Sequence, residues 1–249
     1  MLEPPSEFRS FFKGFYRADF PGRAFPGYLF VNCRPTPRYM KIVAALTDPL
    51  QASRAEEQGA DMIELRFDLM KGVPKKLVQQ CRKDCSLPII GTLRSGREGG
   101  QFFGDGAEWE KKIRPIIPLV DYVDVEQQFV RNAICVKEAG TKIIASHHAS
   151  IMMPLHVLFV MERELRAYGD IVKIIVTPSN ADDVIELIAF THAVKQPSCC
   201  GVMGSAFRYA RAVLPLFGSE LVYCHMGETT AEGQYTVEEF VRLKKLLLG

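Results

Sequence analysis

From residue 41 onward, apolar runs of strand length alternate with longer segments in which apolar positions recur at helical spacing. The runs predict eight strands, at 41–46, 61–67, 88–94, 120–126, 142–147, 171–176, 200–204 and 219–224. The other segments predict eight helices, near 49–59, 74–85, 107–117, 127–139, 153–167, 181–195, 207–216 and 236–248. Pro74 and Pro154 suit a first helical turn, and Gly59 and Gly140 suit a C-terminal cap.

This repeated alternation of strand and helix predicts a parallel sheet. Eight such units close into a (β/α)8 TIM barrel, the α/β fold that we predict for one domain. A doubly wound open sheet is the alternative. The segment after the first strand, "AALTDPLQ", lacks the glycine fingerprint that this alternative often has at that place.

Residues 1–39 have neither a helical nor a strand period, although they hold seven of the sixteen Phe and six of the fifteen Pro. They also lack the apolar core of a signal peptide. We therefore predict an irregular N-terminal extension at 1–39 and a barrel domain at 40–249 that begins near Met40. The extension is either a loosely docked segment or upstream sequence from a misassigned start.

Composition narrows the function classes. The net charge of +2 provides no strong field for nucleic acid or an anionic membrane, and no run approaches the roughly 18 apolar residues of a membrane span. Seven cysteines without a CxxC pair predict reduced thiols in a cytoplasmic protein. Cys81 and Cys85 share a helical face but lack further ligands at metal spacing, so we predict no metal site.

A barrel carries its chemistry at the carboxyl ends of its strands and in the loops that follow them. Charged and polar residues collect there, namely Glu64, Arg66, Asp68, Arg94, Glu98, His147, His148, Lys173, Arg211 and Gln234. Each alone has a structural explanation, such as an ion pair inside the barrel, a solvated turn or a satisfied core histidine. Their shared position at strand ends favours an active site.

Lys173 is the least expected of these residues, because it interrupts the apolar strand "DIVKIIVTP" (170–178). Burying an ammonium group without a partner is costly. An amine held in apolar surroundings is more often neutral, and the neutral amine is the nucleophile. The sequence therefore predicts a reactive lysine in an apolar environment.

Several motifs resemble those of the type I 3-dehydroquinate dehydratases, Schiff-base-forming barrel lyases of the shikimate pathway, which leads to chorismate and the aromatic amino acids. The resemblance spans Lys41 to Gly249 in the right order. The motifs are "IELRFD" (63–68), "GTLRSGREGG" (91–100), "DVE" (124–126), "IIASHH" (143–148), "VKIIVTPSNADDV" (172–184), "GVMGSAFRYARAVLPLFGS" (201–219) and "EGQ" (232–234).

The resemblance implies a mechanism without a cofactor. Lys173 would form an imine with the ketone of 3-dehydroquinate, and His147 would remove a proton from the adjacent carbon and return it to the departing hydroxyl. Glu98 would hold and polarise His147.

The resemblance also implies substrate contacts and an assembly. Arg211 would clamp the substrate carboxylate, because a guanidinium can bind it through two parallel hydrogen bonds. The other implied substrate-binding residues are Glu64, Arg66 and Arg94 at the ring hydroxyls, Thr230 and Gln234 in the loop over the substrate, and Met203 on an apolar wall. The family implies a homodimer.

The chain departs from the family pattern at three places, one of which is Ala210-Arg211 in place of the common Ser-Arg pair. The family often has Ser-Tyr-His-Asp where this chain is aligned as Ala145-Ser146-His147-His148. Strand alternation then turns His148 away from His147, and we expect it to be structural. In the last loop the usual Ser-Ala-Pro-Gly-Gln is Thr-Ala-Glu-Gly-Gln here, which predicts a looser loop and places the charge of Glu232 near an anionic substrate.

Two other functions remain as alternatives. A class I aldolase or transaldolase would also use a barrel lysine, but the loop "HMGETTAEGQ" (225–234) carries two glutamates and is a poor phosphate site. A degenerate barrel kept as a binding module is the non-enzymatic alternative. It would be favoured if the lysine, histidine or glutamate were missing, and all three are present.

Overall fold

The computed structural model describes residues 40–249, and the predicted extension at 1–39 lies outside the described residues. The described part contains eight parallel strands in the spatial order β7-β6-β5-β4-β3-β2-β1-β8. They are β1 (Lys41–Leu46), β2 (Met62–Arg66), β3 (Ile89–Thr92), β4 (Tyr122–Glu126), β5 (Lys142–His148), β6 (Ile171–Val176), β7 (Ser198–Val202) and β8 (Leu221–His225). This arrangement confirms the predicted (β/α)8 barrel.

Helices follow the strands throughout. They are α1 (Ala52–Glu57), α2 (Pro74–Asp84), α3 (Gly106–Ile113), α4 (Ala133–Glu138), α5 (Leu155–Arg166), α6 (Ala181–Ala193), α7 (Ala210–Val213) and α8 (Val237–Leu248). Several predicted helices are shorter than expected because part of each is a 3-10 helix. One case is α7, which passes into a 3-10 turn at Leu214–Phe217.

The strands β7 and β8 form the seam of the barrel, which is nearly closed. The ladder bonds that join the other neighbours are replaced here by a main-chain bond from Glu220 N to Ser198 O at 2.8 Å. The hydroxyl of Ser219 accepts from Cys200 N at 3.0 Å and donates to Cys200 O at 3.0 Å. A side chain therefore satisfies backbone groups that closure leaves unpaired.

Two apolar layers surround the sheet. The outer layer packs strand residues against the helices, and there the ring of the fully buried Trp109 stacks on Phe129 with centroids 5.4 Å apart. The inner layer contains Val43, Met62, Ile90, Ile144, Ile171 and Leu221. Toward the carboxyl ends of the strands, buried charged residues replace apolar ones on this inner face. The interior of the barrel is therefore apolar toward the amino-terminal ends of the strands and polar at the opening formed by their carboxyl ends, which we call the mouth.

Within residues 40–249, the structure contains no helix that is both long enough and apolar enough to cross a membrane.

Candidate active site

Lys173 lies on the inner face of β6, where only 4% of its side chain is exposed. Its Nζ is 3.2 Å from Asp124 Oδ2, 3.7 Å from Glu64 Oε1 and 3.7 Å from the centroid of the Tyr223 ring. The prediction of apolar surroundings is therefore wrong. The buried ammonium group is compensated by carboxylates and an aromatic face, which resolves the cost of burying it.

Asp124 is the main partner of this lysine and is itself almost completely buried. It also accepts hydrogen bonds from Arg94 Nη2 at 2.7 Å and from the Ser146 hydroxyl at 2.5 Å. Burial favours the neutral acid, but the positive charges of Arg94 and Lys173 prevail and hold the pKa of Asp124 below its ordinary value. Asp124 is thus a fixed negative charge beside the amine.

Arg94 binds the protein's own carboxylates. Its Nη1 donates to Glu98 Oε2 at 3.2 Å, to Glu126 Oε1 at 3.0 Å and to the Ser146 hydroxyl at 3.0 Å. Arg94 also lines the cavity at the mouth of the barrel, which is described below. Because these bonds occupy much of its guanidinium, Arg94 orients the surrounding acids in addition to its predicted role at the substrate.

Glu98 is brought over the mouth by the loop after β3. This loop turns back on itself so closely that a Cβ at Gly100 would lie 2.1 Å from the carbonyl oxygen of Arg94. Only glycine fits such an approach. Glu98 ends a short 3-10 turn, Gly96–Glu98, and Gly99 follows with a φ of +83°.

The two neighbouring histidines are oriented opposite to the prediction. In the β5–β6 register, Ser146 pairs with Lys173, His148 with Ile175 and His147 with Ile174. Ile175 belongs to the inner layer and Ile174 to the outer layer. Since paired residues of parallel strands point to the same face, His148 shares the inner face with Lys173. The expectation that His147 faces the mouth and that His148 points away from it is therefore wrong.

Glu98 holds His148 through two contacts with the same oxygen. The His148 Nδ1 lies 2.8 Å from Glu98 Oε2, and the His148 main-chain N–H donates to that oxygen at 3.2 Å. Arg94 donates to it as well. An oxygen that already accepts from two N–H groups is poorly placed to carry a hydrogen and donate it to Nδ1, so we assign the ring hydrogen of His148 to Nδ1. Nε2 is then left as the basic nitrogen.

The charge states of this pair depend on burial. Burial lowers the pKa of His148 well below its ordinary value, and the cations Arg94, Lys173 and Arg66 lower it further. Burial raises the pKa of Glu98 to about 8, although Arg94 opposes that rise. Near neutral pH the imidazole is therefore neutral and able to accept a proton, while Glu98 retains one.

The raised pKa of Glu98 predicts a pH-dependent stability. The folded chain binds the Glu98 proton more tightly than the unfolded chain. The stability contributed by this group is therefore fully present below pH 4.5 and is lost as the pH rises to about 8. Between about pH 5 and about pH 9 we expect the free energy of unfolding of E98Q to rise by ~2–4 kcal/mol relative to that of the unsubstituted protein. Denaturant unfolding measures this difference, with E186Q at an exposed glutamate as the control. A difference that does not vary with pH would contradict the prediction.

Arg211 is a half-buried cation without a paired acid among residues 40–249. Its Nη2 donates to the main-chain oxygen of Glu232 at 3.0 Å, and its Nε is buried without a hydrogen-bond partner. Among residues 40–249 no carboxylate forms a salt bridge with it. Burial therefore lowers its pKa. A desolvated guanidinium of this kind is suited to an anionic group supplied by a ligand.

The β8–α8 loop (residues 226–236) closes over the cavity through bonds of its own. The amide oxygen of Gln234 accepts from the N–H of Thr230 at 3.1 Å, from its hydroxyl at 3.0 Å and from Ala231 N at 3.2 Å. Glu232 accepts from the Ser205 hydroxyl at 2.6 Å. A Cβ at Gly233 would lie 2.3 Å from Gly204 O. The carboxylate that replaces the usual proline thus ties this loop to the segment after β7.

These side chains surround a cavity of about 300 Å³. Nine of the ten predicted site residues line it, namely Glu64, Arg66, Arg94, Glu98, Lys173, Met203, Arg211, Thr230 and Gln234. His148 takes the place of His147 in the lining. No role was predicted for Asp124, Ser146 or Tyr223, although all three contact Lys173 or its partners. The alternation of polar and apolar residues in the strand motif "DVE" (124–126) could have identified Asp124 as a site residue.

The fold and the site together define a (β/α)8 barrel enzyme with an amine, an imidazole and a carboxylic acid at one mouth. A family model described as "Type I 3-dehydroquinase" matches residues 45–247. A 3-dehydroquinate dehydratase of Methanoregula boonei is 65% identical over 208 residues, which make up 84% of this chain and all of that protein. One of Methanospirillum hungatei is 38% identical over 84% of this chain and 82% of that protein.

A solved structure of a protein with the same name has a similar fold. The 3-dehydroquinate dehydratase of Aquifex aeolicus VF5 superposes with a TM-score of 0.73 at 29% identity, over 84% of this chain and 99% of that one. The chain belongs to the type I 3-dehydroquinase family. This membership favours a dehydratase over the aldolase and binding-module alternatives.

Proposed function

We propose that the chain dehydrates 3-dehydroquinate to 3-dehydroshikimate through an imine formed at Lys173. The family is that of a hydro-lyase of the shikimate pathway, and its relatives carry the dehydratase name. The observation that carries the proposal is the joint placement of Lys173 and His148 on the inner faces of neighbouring strands. Amine and imidazole therefore face one substrate from adjacent positions.

The first step joins the Lys173 amine to the substrate ketone and releases water, which leaves a protonated imine. This cation takes the place of the ammonium group of Lys173. The Nζ atom of that group lies 3.2 Å from Asp124 Oδ2 and 3.7 Å from Glu64 Oε1. The carboxylates that compensate the ammonium charge also stabilise the iminium charge. They are in place before the reaction, so no charged group has to be reorganised.

The iminium group draws electrons from the adjacent carbon, which makes a proton there easier to remove. His148 Nε2 accepts this proton, and Glu98 stabilises the resulting imidazolium through Nδ1. The same imidazole then returns the proton to the departing hydroxyl. Hydrolysis of the product imine consumes one water and regenerates the amine, so the net change is the loss of one water.

The assignment of the base to His148 also fits the family motif. The pattern Ser-Tyr-His-Asp can be aligned with Ser146-His147-His148-Ala149, one residue later than in the sequence analysis. In this alignment the serine falls on Ser146, which bonds Asp124, and the histidine falls on the residue that faces the cavity. His147 then occupies the position of the tyrosine.

Arg211 binds the substrate carboxylate in this proposal, and R211A tests it. A clamp on a group that does not react contributes mainly uniform binding, so we expect KM to rise on the order of 10²-fold with a smaller fall in kcat. Steady-state kinetics measure both constants. R208A is the matched control, because the half-exposed Arg208 on the same segment is paired with Glu239. An unchanged KM in R211A would place the carboxylate elsewhere.

We propose a cytoplasmic homodimer. The six cysteines of residues 40–249 are all buried and unpaired, which suits a reducing compartment.

We also propose that residues 40–249 suffice for catalysis. A protein that starts at Met40 is expected to retain its turnover, and a folded but inactive truncation would contradict this.

A further inference from the structure

His147 is the one predicted site residue that does not line the cavity, yet it lies beside Glu98. Its Nδ1 is 3.8 Å from Glu98 Oε1, whereas His148 Nδ1 is 2.8 Å from Glu98 Oε2. The carboxyl group of Glu98 thus stands between two imidazoles that are adjacent in sequence and project from opposite faces of β5.

The nitrogen of His147 that faces Glu98 has an unused hydrogen-bonding capacity. Nδ1 is buried and has no hydrogen-bond partner, although 24% of the side chain is exposed. An unpaired buried polar atom is costly, and active-site hydrogen bonds are often long before substrate binds. The separation of 3.8 Å is close enough for a small rotation of either side chain to form the bond.

The bonding of Glu98 determines which of its oxygens can carry a proton. Oε2 accepts from Arg94, from the His148 main chain and from the His148 ring. Oε1 has no such donors and faces Nδ1 of His147. A proton on Glu98 is therefore placed best on Oε1, where it can be donated to that nitrogen.

We propose that His147 is a positioning residue whose Nδ1 accepts a hydrogen bond from protonated Glu98 Oε1. This bond keeps the proton away from Oε2, so that Oε2 continues to accept from His148 Nδ1 and His148 Nε2 stays basic. The two histidines then hold opposite neutral tautomers, with hydrogen on Nε2 of His147 and on Nδ1 of His148. The proposal deepens the role of Glu98 in the proposed function.

The charged surroundings are compatible with this arrangement. Burial raises the pKa of Glu98 to about 8, with Arg94 from the β3 end opposing the rise and Glu126 and Asp124 from β4 adding to it. On the side of His147, burial lowers the imidazole pKa and the charge of Glu126 opposes that effect. A protonated acid therefore meets a neutral imidazole near neutral pH.

Two variants of nearly equal size test the hydrogen bond. In H147N the amide oxygen can replace Nδ1 as an acceptor, whereas H147L has no acceptor. The titration of Glu98 is followed by carbon-13 NMR of labelled glutamate carboxyl groups, with the Glu98 signal assigned by its loss in E98Q. We expect its midpoint to fall by on the order of 0.5–1 pH unit in H147L and to be largely restored in H147N.

The direction of the shift separates hydrogen bonding from a general effect of packing. A more apolar neighbour raises the pKa of a carboxyl group, so a lower midpoint in H147L cannot come from burial. A midpoint that is unchanged or raised in H147L would overturn the proposal. The control H156F, at an exposed histidine, should leave the midpoint unchanged.

A measurement on the unsubstituted protein keeps the test decisive if a variant fails to fold. Nitrogen-15 shifts of the imidazoles near pH 7 should show a protonated Nε2 and an unprotonated Nδ1 for His147, and the reverse for His148. A hydrogen on Nδ1 of His147 would refute the proposal. Neither experiment requires turnover, so a failure of the imine mechanism would be seen separately.

Discussion

Alanine in place of Lys173 abolishes the dehydration of 3-dehydroquinate, which is the largest effect that we expect from any single substitution. The imine cannot form without the amine, and the adjacent carbon then loses the electron sink that activates its proton. Borohydride added with the substrate should inactivate the unsubstituted protein irreversibly, because it reduces the imine to a stable amine. Peptide mass mapping should find the adduct on Lys173.

The control for this experiment has to separate chemistry from folding. Lys173 is one of two cations that compensate the buried Asp124, so its removal leaves that charge with Arg94 alone and lowers stability. Thermal unfolding of K173A therefore accompanies the assay, while trapping on the unsubstituted protein requires no substitution. K142A changes a lysine at the exposed start of the neighbouring strand and should remain active. An adduct on another lysine, or a folded and active K173A, would refute the mechanism.

The strands could be predicted because their side chains are decided by burial. A strand covered on both sides is almost continuously apolar, and Lys41–Leu46 and Ile171–Val176 have the predicted bounds. The helices were less certain at their ends. In the segment predicted as 207–216, Pro215 lacks an N–H group, and the structure there is a short helix and a 3-10 turn.

The site was predicted in its members but not in its contacts. A lysine within an apolar strand was visible in the sequence, whereas its ion pair with Asp124 depends on strands that are 49 residues apart along the chain. Apolar pattern alone cannot show that β4 and β6, which lie on either side of β5, bring opposite charges together inside the barrel. The result is a lysine in a charged site where an apolar one was expected.

The assignment of the two histidines failed for a related reason. Strand β5 is apolar on both faces, with Ile143 and Ala145 on one face and Ile144 on the other, so hydrophobicity does not determine which face is inner. Ser146 was the available signal. A hydroxyl in mid-strand is easier to satisfy at the polar mouth than under the helices, and His148 shares the face of Ser146.

The second large effect distinguishes these two histidines directly. H148A should still form the imine with Lys173 but should lose on the order of 10²–10⁴ in the rate of dehydration, the usual contribution of a positioned acid–base group. H147A should lose much less, because His147 does not line the cavity and its Nδ1 is 3.8 Å from Oε1 of Glu98. Single-turnover measurements with borohydride trapping separate the imine step from the later proton transfer.

The pH profiles give an independent check on the same pair. The basic nitrogen of His148 is lost in H148A, so the remaining rate should no longer follow the titration of an imidazole. In H147A that dependence should persist, with its midpoint displaced only as far as the titration of Glu98 is altered. If H147A instead shows the larger loss while H148A turns over normally, the base is on the outer face of β5. The proposed proton path would then be wrong, because His148 is the imidazole that shares the cavity with Lys173.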